Sequence, residues 1–147
     1  MNLSLYNGKH NPLYSDYVST KDNDKNIDKL EHAKVYATEK WKRMRLVALS
    51  ESPLCIICSS IGRTIEATTV DHCITFVDIS DPIAFNSDNL FCLCHSCHAN
   101  LYYIESLNRD YWKSSYNKGV LSIKDIAKIK YKPVTSVTSD GYYKISK

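Results

Sequence analysis

Four cysteines stand in two identical knuckles, Cys55-x2-Cys58 and Cys94-x2-Cys97, with 35 residues between them. A two-residue spacer lets both sulfurs of a knuckle face one ion, and four thiolates fill a closed tetrahedral zinc site. A single CxxC can be a redox pair, but two of them without a βαβ pattern favour a structural metal. The intervening 35 residues exceed what a simple ribbon needs, so something has been placed inside the loop. Cys73 and Cys92 are spare, and their apolar surroundings mark them as buried thiols rather than ligands.

The inserted stretch carries Asp71-His72 and Asn89, and His98 follows the second knuckle directly. Together they bring a carboxylate, an amide and two imidazoles, each of which has a task if the substrate is a phosphodiester. A histidine near its ordinary pKa can take a proton from water at neutral pH. A divalent cation can hold a phosphate oxygen and stabilise the leaving 3′ oxygen. Asp71 and His98 are suitable ligands for that ion, and Asn89 can pin the facing loop by hydrogen bonds. His98 could also replace a cysteine on the zinc, but four cysteines already fill a tetrahedral site. His95, inside a knuckle, is expected to face solvent, and His10 and His32 are expected on the surface. Neighbouring residues of a strand point to opposite faces, so Asp71 and His72 can serve one site only if the chain bends there.

These residues need a strand, a loop, a second strand and a helix in that order. The pattern is helical from about Ile27 to Leu49, with Trp41, Arg45 and Leu49 recurring every four residues, and Ser52-Pro53 closes it. Residues from Arg63 to Ile74 include Thr64, Ile65, Thr68, Thr69 and Val70, a β-branched run that favours a strand. Asp78 to Asn89 reads as a loop, Leu90 to Cys94 as a second strand, and a helix begins after Ser96 with Leu101, Ile104 and Leu107 at helical spacing. In the tail, Ser122 caps a short helix that Pro133 ends, and Asp140-Gly141 marks a hairpin turn.

At this point the chain resembles the HNH endonucleases with a ββα-metal core, in particular the small zinc-knuckled kind found in tailed phages. The residues that carry the resemblance run from Trp41 through Arg45, Leu49, the first knuckle, Gly62, Ala67, Val70-Asp71-His72 and Asn89-Leu90 to Leu93-Cys94-x2-Cys97-His98. The stretch is less than half of the chain. The resemblance implies His72 as general base, Asn89 as an orienting residue, Asp71 and His98 as ligands of a catalytic Mg2+, Mn2+ or similar ion, and structural Zn2+ on the four knuckle cysteines. It implies double-stranded DNA as substrate, a phage terminase or another packaging protein as a partner, and the host cytoplasm as the location. Two departures stand out. Cys73-Ile74-Thr75-Phe76 follows the Asp-His pair where the family often has proline, and Ala99-Asn100-Leu101 follows His98 where a basic residue is common.

The expected fold class is α+β, a small ββα-metal core stapled by a four-cysteine zinc site, with a helical N-terminal flank and a short helix-hairpin tail. The expected division is a polar arm and the start of a helix over 1–38, the nuclease domain over 39–108 and a basic extension over 109–147. Charge follows that division. Residues 1–50 carry nine basic against six acidic side chains, 51–101 carry Arg63 against six acidic, and 102–147 carry nine against four. Basic flanks around an acidic middle suit a polyanion outside and cations within. Lys42, Arg43, Arg45 and Arg63 are the candidate DNA contacts in the core, with Lys124, Lys128, Lys130 and Lys132 as tail candidates and Trp41 turned inward. No apolar run is long enough for a transmembrane helix and no secretory signal is present, which makes cytoplasm the default. The competing reading is a zinc-ribbon module that binds DNA or assembles with other proteins without chemistry.

Overall fold

A computed structural model describes residues 29–137 and 143–145. The polar arm with His10, and the Asp140-Gly141 turn, lie outside the described residues. The helical stretch expected from 27 to 49 is broken into two helices, α1 (29–36) and α2 (Glu39–Glu51). Thr38 makes the break, because its extended backbone leaves the helix while its hydroxyl donates to the Val35 carbonyl and accepts from the Trp41 amide. Such a side chain satisfies one orphan amide of the new helix. Spacing of the apolar residues could not show this, since both helices keep the same periodicity.

The first knuckle opens α3 (Ile56–Ser60), which ends in a Schellman turn. Arg63 N–H reaches the Cys58 carbonyl and Gly62 N–H the Ser59 carbonyl. Gly62 has φ +76°, a left-handed conformation that glycine adopts without steric cost. The strand expected from Arg63 to Ile74 is shorter than its β-branched residues suggested. Only β1 (Thr69–His72) pairs in a ladder, and Leu54 and Glu66 form an isolated bridge before it. β2 (Leu90–Leu93) runs antiparallel to β1, with Val70 opposite Cys92, Asp71 opposite Phe91 and His72 opposite Leu90. Between them, two 3-10 turns, Pro82–Phe85 and Ser87–Asn89, order the polar excursion.

Helix α4 (His95–Asn117) starts at the second knuckle and continues past position 108, where the sequence suggested the nuclease domain would end. A second Schellman turn at Gly119, φ +73°, reverses the chain. α5 (Ile123–Lys130) then lies back against α4, and its start is a capping box between Ser122 and Asp125. β3 (Val134–Val137) and β4 (Tyr143–Ile145) pair antiparallel beyond it.

The architecture is thus small α+β with a ββα core, β1–β2–α4. One apolar cluster joins Ile74, Phe76, Ile83, Leu93, Leu101, Ile104, Trp112 and Ile126 to the knuckle cysteines. A smaller one places Trp41 of α2 against Val70 and Cys92 on the opposite side of the ribbon. The spare thiols Cys73 and Cys92 are buried, as their surroundings suggested. Among the described residues no helix is long and apolar enough to cross a membrane.

Candidate active site and metal centre

Sequence pairs the knuckles, and the fold closes them. Cys55, Cys58, Cys94 and Cys97 offer sulfurs that all lie within 4.8 Å of one another. Cys58 Sγ is 3.9 Å from Cys94 Sγ and 3.7 Å from Cys97 Sγ. Tetrahedral ligands at a zinc–sulfur distance of about 2.3 Å would sit roughly 3.8 Å apart, which the two Cys58 contacts match, so the donor set suits Zn2+. Burial pushes the Cys55 thiol up, but the amides of Cys58, Cys94 and Ile57 outweigh it and bring the pKa to about 7. A thiol so placed is ready to lose its proton to a metal.

One peptide bond beyond Cys97, His98 begins the other centre. Its Nε2 lies 3.4 Å from Asp71 Oδ1. The hydrogen bond to that carboxylate is what raises the His98 pKa above its ordinary value. Burial alone would raise the Asp71 carboxyl, yet Lys130, His98 and Tyr131 hold it down at about 2. The Asp71 oxygens are divided. Oδ1 faces His98, while Oδ2 accepts from the Tyr131 hydroxyl at 2.7 Å and lies 2.9 Å from the Lys130 ammonium.

His72 leaves β1 on the other face of the ribbon. Its ring stacks on Trp41 at 4.8 Å between centroids and meets the edge of Phe76 at the same distance. Its Nε2 is 2.9 Å from the Ala84 carbonyl oxygen. Burial pushes its pKa below the usual histidine value. The ribbon is four residues long and two strands wide, and the chain bends at Cys73 and Ile74 as soon as β1 ends. Asp71, His72 and His98 therefore all border one cavity of about 150 Å³, together with His32, Tyr36 and Glu105.

Asn89 touches no part of that cavity and is fully buried behind it. Its carbonyl oxygen accepts from Ile74 N–H at 2.8 Å, and its amide donates to the Ile74 and Ile83 carbonyls. The loop that carries the bend and the turn that carries Ala84 are thereby fastened to the start of β2.

Several expectations need correction. His32 is half-buried rather than a freely exposed residue, for its ring lies 4.3 Å from that of Phe76 and borders the cavity. Lys130 is not a phosphate contact of the tail, because its side chain has no exposed surface and its ammonium lies beside Asp71. Burial would lower its pKa, but Asp71 and Glu105 raise it, so it is charged. The Arg45 guanidinium donates to the Thr68 carbonyl at 3.0 Å and ties α2 to the ribbon. Lys42 pairs with Glu39 on the exposed face of α2, and Arg43, Arg63 and His95 are exposed.

Sequence reading missed Glu105, Lys130 and Tyr131. Glu105 is two helical turns after His98, on the same face of α4, which is a signal that seven-residue spacing could have given. Lys130 is four residues after Ile126, the fully buried residue of α5, so the phase of α5 already turned it inward. Nothing local links either residue to Asp71, which lies far earlier in the chain.

No protein-family model and no curated protein matches the chain. Among solved structures, the manganese-bound HNH endonuclease of the deep-sea thermophilic bacteriophage GVE2 is similar to it, at 26% identity and a TM-score of 0.46. The likeness covers 60% of this chain and 96% of that one.

Proposed function

We propose that the protein is a metal-dependent endonuclease that hydrolyses phosphodiester bonds of DNA. The observation that carries this reading is the single cavity shared by a fixed imidazole and an oxygen–nitrogen ligand pair. The Ala84 carbonyl can only accept, so His72 Nε2 carries the ring proton and Nδ1 keeps its lone pair. Burial favours the neutral ring, and Nδ1 is then the base that takes a proton from the attacking water.

Asp71 Oδ1 and His98 Nε2 are the proposed ligands of the catalytic ion. Their 3.4 Å separation is close to the roughly 3.0–3.4 Å expected between adjacent ligands at about 2.1 Å from one ion. One carboxylate oxygen with one imidazole suits Mn2+, Mg2+ or a similar cation. When bound, such an ion supplies positive charge to a phosphate oxygen and to the leaving 3′ oxygen. Asn89 acts without touching substrate, keeping the loop with Ala84 against the His72 ring. Zinc on Cys55, Cys58, Cys94 and Cys97 holds α3 and the start of α4 together, which sets where His98 emerges. Lys42, Arg43 and Arg63 are the proposed phosphate contacts outside the cavity.

Zinc-loaded protein incubated with supercoiled plasmid tests the reading. Nicking or linearisation that depends on added Mn2+ or Mg2+ is expected, and His72→Ala should lose it while keeping its zinc. Binding without divalent-dependent cleavage, or equal cleavage by His72→Ala, overturns the reading in favour of a DNA-binding module.

A further inference from the structure

Helix α5 ends against Asp71 and Glu105, two residues that line the cavity. Lys130 Nζ lies 3.0 Å from the His72 carbonyl, 3.1 Å from the Cys73 carbonyl and 3.3 Å from Glu105 Oε1. An ammonium has three protons, and with Asp71 Oδ2 four oxygens surround them at 2.9–3.3 Å, so none is left without a partner. Asp71 Oδ2 thus faces both the Lys130 ammonium, at 2.9 Å, and the Tyr131 hydroxyl, at 2.7 Å. Taking an ammonium wholly out of water is costly, and an apolar side chain of similar volume often stabilises a fold as well or better. Packing alone therefore gives no account of a lysine here. Its neighbours do, because Asp71, His72 and Cys73 belong to the segment that must present the carboxylate and the imidazole together.

We propose that Lys130 and Tyr131 are positioning residues of the active site. They occupy Asp71 Oδ2 so that only Oδ1 is offered to the metal ion, and they clamp the bend after His72. The C-terminal segment is then part of the catalytic unit rather than an appended DNA-binding tail. A carboxylate with one oxygen already occupied binds an ion through a single oxygen. That leaves most of the coordination sphere to water and phosphate, as small octahedral cations prefer. This inference rests on the nuclease reading for the purpose of the cavity, but its metal-binding consequence can be measured without cleavage.

The test compares wild type, Tyr131→Phe and Lys130→Met, each with its zinc content and melting temperature determined. Mn2+ affinity is read from the electron paramagnetic resonance signal of free Mn2+, and plasmid nicking is measured in parallel. Tyr131→Phe keeps the ring that packs 4.7 Å from Phe91 and removes only the hydroxyl. We expect it to weaken Mn2+ binding, lower kcat, or both, by about 10–100-fold at unchanged zinc content, as loss of an outer partner of a metal ligand does. A fall in melting temperature with wild-type Mn2+ affinity and kcat overturns the proposal, since a merely structural role would give that result. Should Lys130→Met fail to retain zinc, Tyr131→Phe alone decides. Wild type that binds Mn2+ more tightly than Tyr131→Phe yet cuts nothing sinks the nuclease reading and upholds this one. Wild type that cuts, alongside a variant of equal affinity and rate, does the reverse.

Discussion

His72 Nε2 rests 2.9 Å from the carbonyl oxygen of Ala84, twelve residues further along the chain. That contact selects which nitrogen of the imidazole is free to act. The ring should therefore be the neutral Nε2–H tautomer at pH 7, with Nδ1 unprotonated. Two-bond nitrogen–proton correlation spectra of labelled protein would display that pattern. His72→Ala should reduce plasmid nicking by about 10²–10⁴-fold, the usual contribution of a general base.

Asn89 is predicted to matter for stability and for rate through the same bonds. Asn89→Ala leaves Ile74 N–H and the carbonyls of Ile74 and Ile83 without their buried partner. Each such loss costs on the order of 1–3 kcal/mol, and partial relaxation of the loop makes about 3 kcal/mol in total reasonable. Urea unfolding at fixed zinc occupancy measures it. A variant as stable as wild type would mean that these bonds are replaced by water.

Zinc removal should unfold the protein rather than merely inhibit it. The four sulfurs come from α3 and the β2–α4 junction, and they are part of the main apolar cluster. Structural zinc in small domains is worth on the order of 10 kcal/mol of folding free energy. Chelation should collapse the far-ultraviolet dichroism of α4, and Mg2+ in excess should not restore it, whereas Zn2+ should.

A pH-dependent contribution is predicted from Asp81 and Lys113, whose side chains are 15% exposed each and 2.6 Å apart. Burial raises the Asp81 carboxyl, but Lys113 and the amides of Val77 and Ile83 bring it below the usual carboxylate range. A carboxyl whose folded pKa is depressed stabilises the fold above its unfolded pKa, near about 3.9, and loses that effect as pH falls through the folded value. Asp81→Asn should thus be less stable than wild type at pH 7, by about 1–2 kcal/mol, and the gap should close below about pH 4. Thermal melts at several pH values follow it.

Arg43 and Arg45 are predicted to behave differently although they lie close together on one helix. Arg43 is exposed, whereas Arg45 is bonded to Thr68. Arg43→Ala should weaken DNA binding and reduce the slope of log affinity against log salt by about one. Arg45→Met should chiefly lower the melting temperature. Salt titrations of both variants separate a phosphate contact from a tie between elements.

What the amino-acid sequence determined by itself was whatever is local. Each CxxC knuckle fixes a pair of sulfurs because spacing within a knuckle is a property of three consecutive peptide bonds. The Ser122 cap, the Gly62 turn and the Leu90–Leu93 strand are likewise written within a few residues. The types and order of Asp71, His72, Asn89 and His98 already limited the chemistry, because a carboxylate, an amide and two imidazoles are the donors and acceptors that the proposed reaction needs.

Tertiary structure decided the rest, since partners far apart in sequence are chosen by packing. The break at Thr38 brings α2 across the ribbon so that Trp41 covers His72. Ala84 was invisible as a partner because a backbone carbonyl has no sequence signature. Lys130 read as one more basic residue of a charged tail. Only the return of α5 along α4, with Ile126 in the core, takes its charge out of water and sets it beside Asp71. An ion pair between residues 71 and 130 is a fact about how helices pack, and no periodicity within either segment encodes it.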